Sequence, residues 1–317
     1  MQEDPEIKQH FDLNSVDYDR YMGTNQHGMM HYGDHTEYQR NWKEKILAKT
    51  GLITRKEVKQ AVVHRVEALA EKADIQQGDT VLDSGCGRGG NTIWLAKNTN
   101  AEKIIGLDID KDLLEKAREN AEEAGVEEKV EFIHQDYDNL QLDNFDVYFA
   151  IESQAYSQDE RKLAENIYKG LNPGGRLVIT DGFRTEKFSE KHEQISRKMH
   201  IGWGVDYMAY RSNFERFLKQ AGFQNIQVEP LMEKIAPTSK YLHRASVLTT
   251  PYVQLRLEIA KGLNTLTDSI GLNTEKKEKE VKRYRQLRNL TTTGRYQYIA
   301  GKKEIFNQFD FYAEKPE

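Results

Sequence analysis

A glycine-rich segment followed by an acidic residue is the part of the sequence best suited to hold a nucleoside. Residues 85–90 read Gly-Cys-Gly-Arg-Gly-Gly and fit the pattern G-x-G-x-x-G, and Asp108 follows about 20 residues later. Glycines let the backbone turn sharply and approach a ligand, and a carboxylate accepts hydrogen bonds from ribose hydroxyls. The alternative is that the glycines serve only a tight turn.

Asp83, directly before these glycines, bears on which nucleoside cofactor would fit. A carboxylate there would repel a pyrophosphate, because like charges that lie close together repel. It would suit a cofactor that ends in a cationic amino-acid group, contacted directly or through water. A nicotinamide-dependent oxidoreductase is therefore disfavoured.

An alternating series of strands and helices must position these residues. Apolar runs predict strands at 80–83, 103–108, 130–134, 145–150, 176–180, 225–229 and 309–312. Helical spacing predicts helices at 56–72, 91–97, 111–124, 160–171, 187–221 with an interruption at 202–204, and two more within 251–290. The order predicts an α/β fold with a doubly wound, Rossmann-like, mostly parallel seven-stranded sheet.

The same motifs resemble those of the class I S-adenosylmethionine-dependent methyltransferases. VLDSGCGRGG at 81–90 is similar to their first motif and GLDID at 106–110 to their second, and the resemblance runs from about Gly78 to Gly182. It implies that the cofactor is S-adenosylmethionine, with its methionine part near Asp83, its ribose on Asp108 and its adenine near Asp136. The residues implied to bind it are Asp83, Gly85, Gly87, Asp108, Ile109, Gln135, Asp136 and Tyr137. For Asp136, capping of a turn is the alternative.

Glu152 directly follows an apolar strand and is the candidate base. Partial burial would raise its pKa and leave it able to take a proton. The alternatives are a structural carboxylate or a direct contact with the cofactor. The stretch from Glu152 to Tyr156 resembles the methyltransferases that act on sterols, tocopherols and prenyl diphosphates. Tyr156 stands where several of those enzymes carry a histidine, so it is a second catalytic candidate, and a histidine-based mechanism at that position is in doubt.

The N-terminal segment resembles the part of that subgroup that closes over the cofactor. The resemblance makes His31 a catalytic candidate, Tyr32 a substrate contact, and Tyr21, with Tyr18 beside it, a contact to the cofactor carboxylate; packing of the two tyrosines is the alternative. The spacing of His27, His31 and His35 could also present imidazoles to a metal ion. Gly28 and Gly33 argue against a regular helix there, so no metal site is predicted.

A later segment resembles the cap that these enzymes place over the acceptor. His200, Trp203 and Tyr207 are the candidate substrate contacts, and aromatic faces could stabilise a carbocation, although core packing is the alternative. The insertion at 251–290 would add a helical cover with Tyr252, Leu255, Leu257, Leu263, Leu266 and Ile270. A diphosphate acceptor would also call for Mg²⁺ or for cations, which could come from Arg184, Lys187, Arg197, Lys198 and His200. The alternative is that these residues are surface charges.

Composition limits the remaining classes. The 317 residues carry 46 Lys and Arg against 51 Asp and Glu, a net charge of −5, so nucleic acid is not an expected partner. One cysteine and the lack of an N-terminal apolar run indicate a cytoplasmic protein, and no stretch of about 20 apolar residues predicts a transmembrane segment. A homo-oligomer is compatible with the sequence.

The predicted organisation is an N-terminal helical lid (1–60), a cofactor-binding core (61–182), and a region of inserted helical cap and last strands (183–317). The predicted function is transfer of a methyl group to a small, largely apolar acceptor, at carbon of an isoprenoid, prenyl diphosphate or sterol. O- or N-methylation of another small molecule is the alternative, followed by a non-catalytic protein that binds S-adenosylmethionine.

Overall fold

A computed structural model describes residues 29, 31–36, 53–205, 207–269 and 275–317. Within them one sheet contains seven strands: β1 (Thr80–Ser84), β2 (Lys103–Asp108), β3 (Val130–His134), β4 (Phe145–Ile151), β5 (Leu171–Arg184), β6 (Gln224–Pro230) and β7 (Phe306–Glu314). The helices are α1 (Arg55–Lys72), α2 (Gly90–Asn98), α3 (Lys111–Ala124), α4 (Glu160–Gly170), α5 (Glu193–His200), α6 (Arg211–Ala221), α7 (Met232–Ser269) and α8 (Glu275–Lys302).

The strand order is β3-β2-β1-β4-β5-β7-β6. Strands β1 to β5 pair in parallel, whereas β7 is antiparallel to both of its neighbours. The predicted doubly wound, mostly parallel, seven-stranded α/β sheet is confirmed. Because β7 runs in the opposite direction, its first residues lie at the edge where the parallel strands end.

Apolar residues on both faces of the central strands explain why helices cover both sides. Val81 and Phe149 pack on one face against α1 and α2, and Leu82 and Tyr148 pack on the other against α4 and α6. All four side chains are buried. Successive side chains of a strand point to opposite faces, so a strand with two apolar faces must be covered twice.

The domain boundary predicted at residue 60 is wrong, because it cuts through α1. Thr54 caps this helix in a reciprocal capping box with Glu57, and the helix continues without a break to Lys72. The predicted lid at 1–60 otherwise falls mostly outside the described residues. The described residues 31–36 contain no helix and run beside α1, where the Asp34 N–H donates to the Ala61 carbonyl at 2.8 Å.

The helices predicted within 251–290 are also misplaced. The chain enters α7 at Met232, and the helix passes through Pro237 and Pro251, residues that usually end a helix. Most of the described residues predicted to cover an acceptor do not do so. Their side chains are exposed, as for Tyr252, Leu255, Leu263 and Leu266. Leu257 is buried, and Ile270 lies outside the described residues. No helix among the described residues is long and apolar enough to cross a membrane.

Arg65 connects α1 to the centre of the sheet. Its guanidinium donates to Thr180 on β5 and to Asp310 on β7, and it lies 3.9 Å from the Asp34 carboxylate. All four residues are buried, and burial lowers the Arg65 pKa to about 10, so the side chain is still charged at neutral pH. The cation therefore balances carboxylates that would otherwise lie unpaired in the core.

We expect Arg65→Met to lower the free energy of unfolding by about 3 kcal/mol, because it leaves buried carboxylates uncompensated. Urea unfolding followed by circular dichroism measures the change. The matched control is Lys72→Met on the same helix, which removes the more exposed pair with Glu229 and should cost about 0.5 kcal/mol. Equal losses in the two variants would contradict the role given to Arg65.

Candidate active site

A cavity of about 350 Å³ opens at the carboxyl edge of the parallel strands. The loop after β1, the ends of β2, β4 and β5, and the start of β7 all contribute to its wall, together with residues from the 29–36 segment and from around α5. This is the edge at which doubly wound sheets bind ligands. The sequence placed its candidate residues at the same edge.

The glycine loop forms one end of the cavity, in a conformation that requires glycine. Gly85 and Gly87 both have positive φ angles, of 75° and 54°. A Cβ on Gly85 would lie 2.3 Å from the Cβ of Ser153, whereas a Cβ on Gly87 would meet no atom within 4 Å. Gly85 thus permits close packing against the loop after β4, and Gly87 leaves space beside the cavity.

Asp108 lies at the end of β2 and lines the same end of the cavity. Its Oδ2 accepts a hydrogen bond from the Gly87 N–H at 2.8 Å, and its Oδ1 accepts from the Asp110 N–H at 3.0 Å. Burial raises the pKa of this carboxyl, although both hydrogen bonds favour its charged form. The carboxylate is therefore held in a fixed orientation by the glycine loop and by the start of α3.

Ile109, Asp136 and Tyr137 also line this end, as predicted. Asp136 caps the short turn after β3, because its Oδ1 accepts from the Asp138 N–H at 2.9 Å. Asp136 therefore both caps this turn and lines the cavity. Tyr137 donates its hydroxyl to the Ser153 carbonyl at 2.8 Å, which fixes its ring between two loops.

Two predicted cofactor residues do not line the cavity. Asp83 is buried behind the glycine loop, where its Oδ2 accepts from the Thr92 hydroxyl at 2.6 Å and burial raises its pKa to about 7. Direct contact is wrong for this side chain, which instead joins β1 to α2. Gln135 also lies outside the cavity wall, and its amide oxygen accepts a hydrogen bond from the Gln141 N–H at 3.3 Å.

Glu152 lies in the wall of the cavity directly after β4, in the left-handed region with φ of 51°. Its Oε1 accepts from the Tyr32 N–H at 2.8 Å and from the Gln308 amide nitrogen at 2.7 Å. Burial raises its pKa to about 8, and the Asp181 charge adds to this, whereas Arg65 acts in the opposite direction. The predicted raised pKa is confirmed in direction and cause.

Asp181 is a cavity residue that sequence reasoning missed. It accepts backbone hydrogen bonds from Gln154, Ala155 and Gly182 at 2.7, 3.0 and 2.7 Å. Burial raises its pKa to about 6. Asp181 directly follows the strand predicted at 176–180, just as Glu152 directly follows its own strand. An acidic residue at the end of a strand could therefore have indicated Asp181 as well.

The described lid residues lie against the cavity. His31 Nδ1 is 3.1 Å from the Tyr32 carbonyl oxygen and its Nε2 is 3.3 Å from Asn91 Oδ1. Burial lowers its pKa to about 4, so the imidazole is neutral at neutral pH. Tyr21, Tyr18 and His27 lie outside the described residues, and His35 bonds to the Thr238 hydroxyl instead.

Two polar atoms in the cavity wall have no hydrogen-bond partner within the described part of the chain. They are the Tyr32 hydroxyl and the Gln308 amide oxygen, both on buried side chains. Both atoms are themselves enclosed, so the side chains line the wall without presenting these atoms on an open surface. Gln308 was missed because it reaches the cavity from the antiparallel strand β7, which no local pattern indicates.

The other end of the cavity is mostly apolar. Tyr156 lines it and donates its hydroxyl to the Trp203 carbonyl at 2.8 Å, while the Trp203 indole N–H donates to Gln297 at 2.9 Å. Burial raises the Tyr156 pKa. The apolar side chains that share this wall are Ile151, Met199, Trp203, Val205, Met208 and Phe306.

His200 and Tyr207 do not line the cavity, so their predicted substrate contacts are wrong. His200 is buried at 3.4 Å from the Ser196 hydroxyl, and burial lowers its pKa to about 4. Tyr207 is half exposed, with its ring under the Arg184 guanidinium at 5.1 Å. The end of α5 directs Met199 into the cavity in place of His200.

The cations proposed for a diphosphate are also directed elsewhere. Arg184 donates to Ser196, Lys187 pairs with Glu304, Lys198 donates to the Tyr296 hydroxyl, and Arg197 is exposed. Among the described residues, Arg88 is the single Lys or Arg in the cavity wall, and it belongs to the glycine loop. Nor does that part of the chain hold three His, Cys, Asp or Glu placed for one metal ion.

Comparison with known proteins agrees with this site. Residues 75–229 match the family model described as a methyltransferase domain. Sterol 24-C-methyltransferase ERG6 of Saccharomyces cerevisiae is 31% identical over 170 residues, which cover 52% of this chain and 44% of that protein. The chain spans about half the length of the curated relatives it matches. The match to a methyltransferase domain covers just under half of the chain.

Solved structures share the fold over almost the whole chain. Geranyl diphosphate C-methyltransferase from Streptomyces coelicolor A3(2), in complex with Mg²⁺, geranyl-S-thiolodiphosphate and S-adenosyl-L-homocysteine, has a TM-score of 0.61 at 16% identity, covering 99% of this chain and 94% of its own. The cyclase SpnF has a TM-score of 0.65 at 18% identity, covering 98% and 95%. These similarities confirm the fold.

We expect Asp108→Asn to weaken S-adenosylhomocysteine binding about tenfold or more, because a neutral amide replaces a charged acceptor of hydrogen bonds. Isothermal titration calorimetry measures the dissociation constant. Asp112→Asn, the same change at an exposed position in the first turn of α3, is the control and should leave the constant unchanged. An unchanged constant for Asp108→Asn would rule out the ribose contact.

Proposed function

We propose that the protein transfers the methyl group of S-adenosylmethionine to a carbon atom of a neutral, largely apolar acceptor of the isoprenoid or sterol type. The observation that carries this proposal is a pair of carboxyls, the half-buried Glu152 and the buried Asp181, beside an apolar part of the cavity. The described wall of that part holds no Lys or Arg.

The glycine-loop end suits S-adenosylmethionine. Asp108 would accept from the ribose hydroxyls, Ile109, Asp136 and Tyr137 would surround the adenine, and Gly85 and Gly87 leave room for the methionine part. When bound, the cofactor supplies an electrophilic methyl carbon. Asp83 would act through the position of the loop, because its side chain bonds to Thr92.

Glu152 would serve as the base that completes methylation at carbon. An acceptor alkene gives its π electrons to the new C–C bond while the C–S bond breaks, and S-adenosylhomocysteine leaves. The cation left on the adjacent carbon then passes a proton to the Glu152 carboxylate, which restores a double bond. Oε1 already accepts two hydrogen bonds, so Oε2 is the oxygen that would take the proton.

The surroundings of Glu152 suit a short-lived cation. Asp181 adds a second carboxyl, and the rings of Trp203 and Tyr156 offer faces that attract positive charge. His31 would take part as a neutral group that orients the lid, since its pKa of about 4 keeps it uncharged.

A neutral acceptor is favoured over a prenyl diphosphate by charge. A diphosphate beside Glu152 and Asp181 would meet two carboxyls where it needs cations or Mg²⁺. The sterol 24-C-methyltransferases among the relatives supply a precedent for an uncharged acceptor. The geranyl diphosphate enzyme shares the fold, but the cations predicted here for a diphosphate are directed away from the cavity.

The test uses S-adenosylmethionine with a deuterated methyl group and a panel of sterols, neutral polyprenyl compounds, prenyl diphosphates, phenols and amines. We expect mass spectrometry to find the label on carbon of a neutral alkene, because the acceptor end is apolar and acidic. Label on oxygen or nitrogen would contradict methylation at carbon, and preference for geranyl diphosphate would contradict the neutral acceptor. Cofactor binding without transfer to any compound would support the binding-only alternative.

A further inference from the structure

Helix α7 exposes a continuous apolar stripe that the active site does not use. The stripe consists of Leu248, Tyr252, Leu255, Ile259, Leu263 and Leu266, with exposed fractions between 42% and 79%. Spacings of three and four residues place all six on one face of the helix. None of them lines the cavity described above. The other face of α7 is buried through Leu242, Val253, Leu257 and Ala260, and packs against α8.

The stripe is larger than chance exposure explains. It spans 19 residues of helix, or about 27 Å. Isolated apolar residues are common on protein surfaces, whereas contiguous apolar patches of this length mark a surface that contacts something else. Tyr252 within the stripe is an amphipathic side chain of the kind that favours the boundary between water and lipid.

The charge of this region indicates what the stripe contacts. Residues 232–302 carry 14 Lys and Arg against six Asp and Glu, whereas the rest of the chain carries 32 against 45. The exposed cations include Arg244, one turn before Leu248 on the same face, together with Arg283, Arg285 and Arg295 on α8. A basic helix pair with an apolar stripe, on an otherwise acidic protein, complements an anionic surface with an apolar interior.

We propose that α7 and α8 dock on the surface of an anionic lipid membrane, with the stripe inserted at the boundary between headgroups and acyl chains. Leu248, Leu255 and Ile259 supply the apolar contact, and Arg244, exposed on the same face of α7, contacts lipid phosphates. A symmetric contact between two copies through the same face would bring two regions of equal positive charge together, so a second copy fits less well. The proposal stands independently of the acceptor, although an apolar acceptor would dissolve in the same lipid.

The test is sedimentation of the full chain with vesicles of phosphatidylcholine alone or with added phosphatidylserine. We expect binding to the anionic vesicles, weakened by salt, and little binding to the neutral ones. The double variant Leu255→Asp, Ile259→Asp should reduce the bound fraction about tenfold or more, because two inserted apolar groups become charged. Val247→Asp is the control, since Val247 is 47% exposed on the same helix but lies about 100° around it from Leu248.

Further measurements distinguish a surface effect from misfolding and from dimerisation. The double variant should keep the wild-type affinity for S-adenosylhomocysteine and the wild-type unfolding curve. The proposal is overturned if the wild type binds neither kind of vesicle, if it binds both equally, or if the double variant binds as well as the wild type. A dimer in sedimentation equilibrium that the double variant dissociates, without vesicle binding, would assign the stripe to a second copy and also overturn it.

Discussion

The two hydrogen bonds that converge on Glu152 Oε1 hold the candidate active site together. One comes from the backbone of Tyr32 in the lid segment and the other from Gln308 on β7, while Glu152 itself follows β4. Three parts of the chain that are distant in sequence therefore meet at one oxygen atom. The left-handed backbone of Glu152 directs its carboxyl into this position, at a conformational cost that the surrounding contacts must offset.

Placing that carboxyl among buried groups determines its protonation. Burial raises the Glu152 pKa to about 8 and the Asp181 pKa to about 6, so in the folded protein both groups hold a proton at a higher pH than they do in an unfolded chain. As the pH rises through that interval, the unfolded state loses protons first, and the free energy of unfolding falls. Arg65, which is buried nearby, limits this loss because it favours the charged form of Glu152. The cofactor's positive charge would act in the same direction.

The sequence predicted those features that depend on local pattern. The glycine loop, Asp108 and Glu152 each follow an apolar run directly, and the parallel sheet brings the ends of those runs to one edge. Gln308 could not be predicted in this way, because its position depends on the reversed direction of β7. His200 was selected where its neighbour Met199 reaches the cavity, since one residue on a helix changes the direction by about 100°. Asp83 is predicted near the cofactor, whereas its side chain bonds to Thr92 behind the glycine loop, a contact that is not visible in a motif.

The pH dependence of kcat/KM, measured for the wild type and for Glu152→Gln, shows whether Glu152 is the base. This ratio reports the ionisation of the free enzyme. Because the base must be deprotonated, we expect the wild-type rate to rise with pH and to level off above a pKa of about 8. In Glu152→Gln the rate should fall about 100-fold or more and lose this rise, with S-adenosylhomocysteine affinity retained. A variant that keeps the same rise, or that loses cofactor affinity as much as rate, would show that Glu152 is not the base.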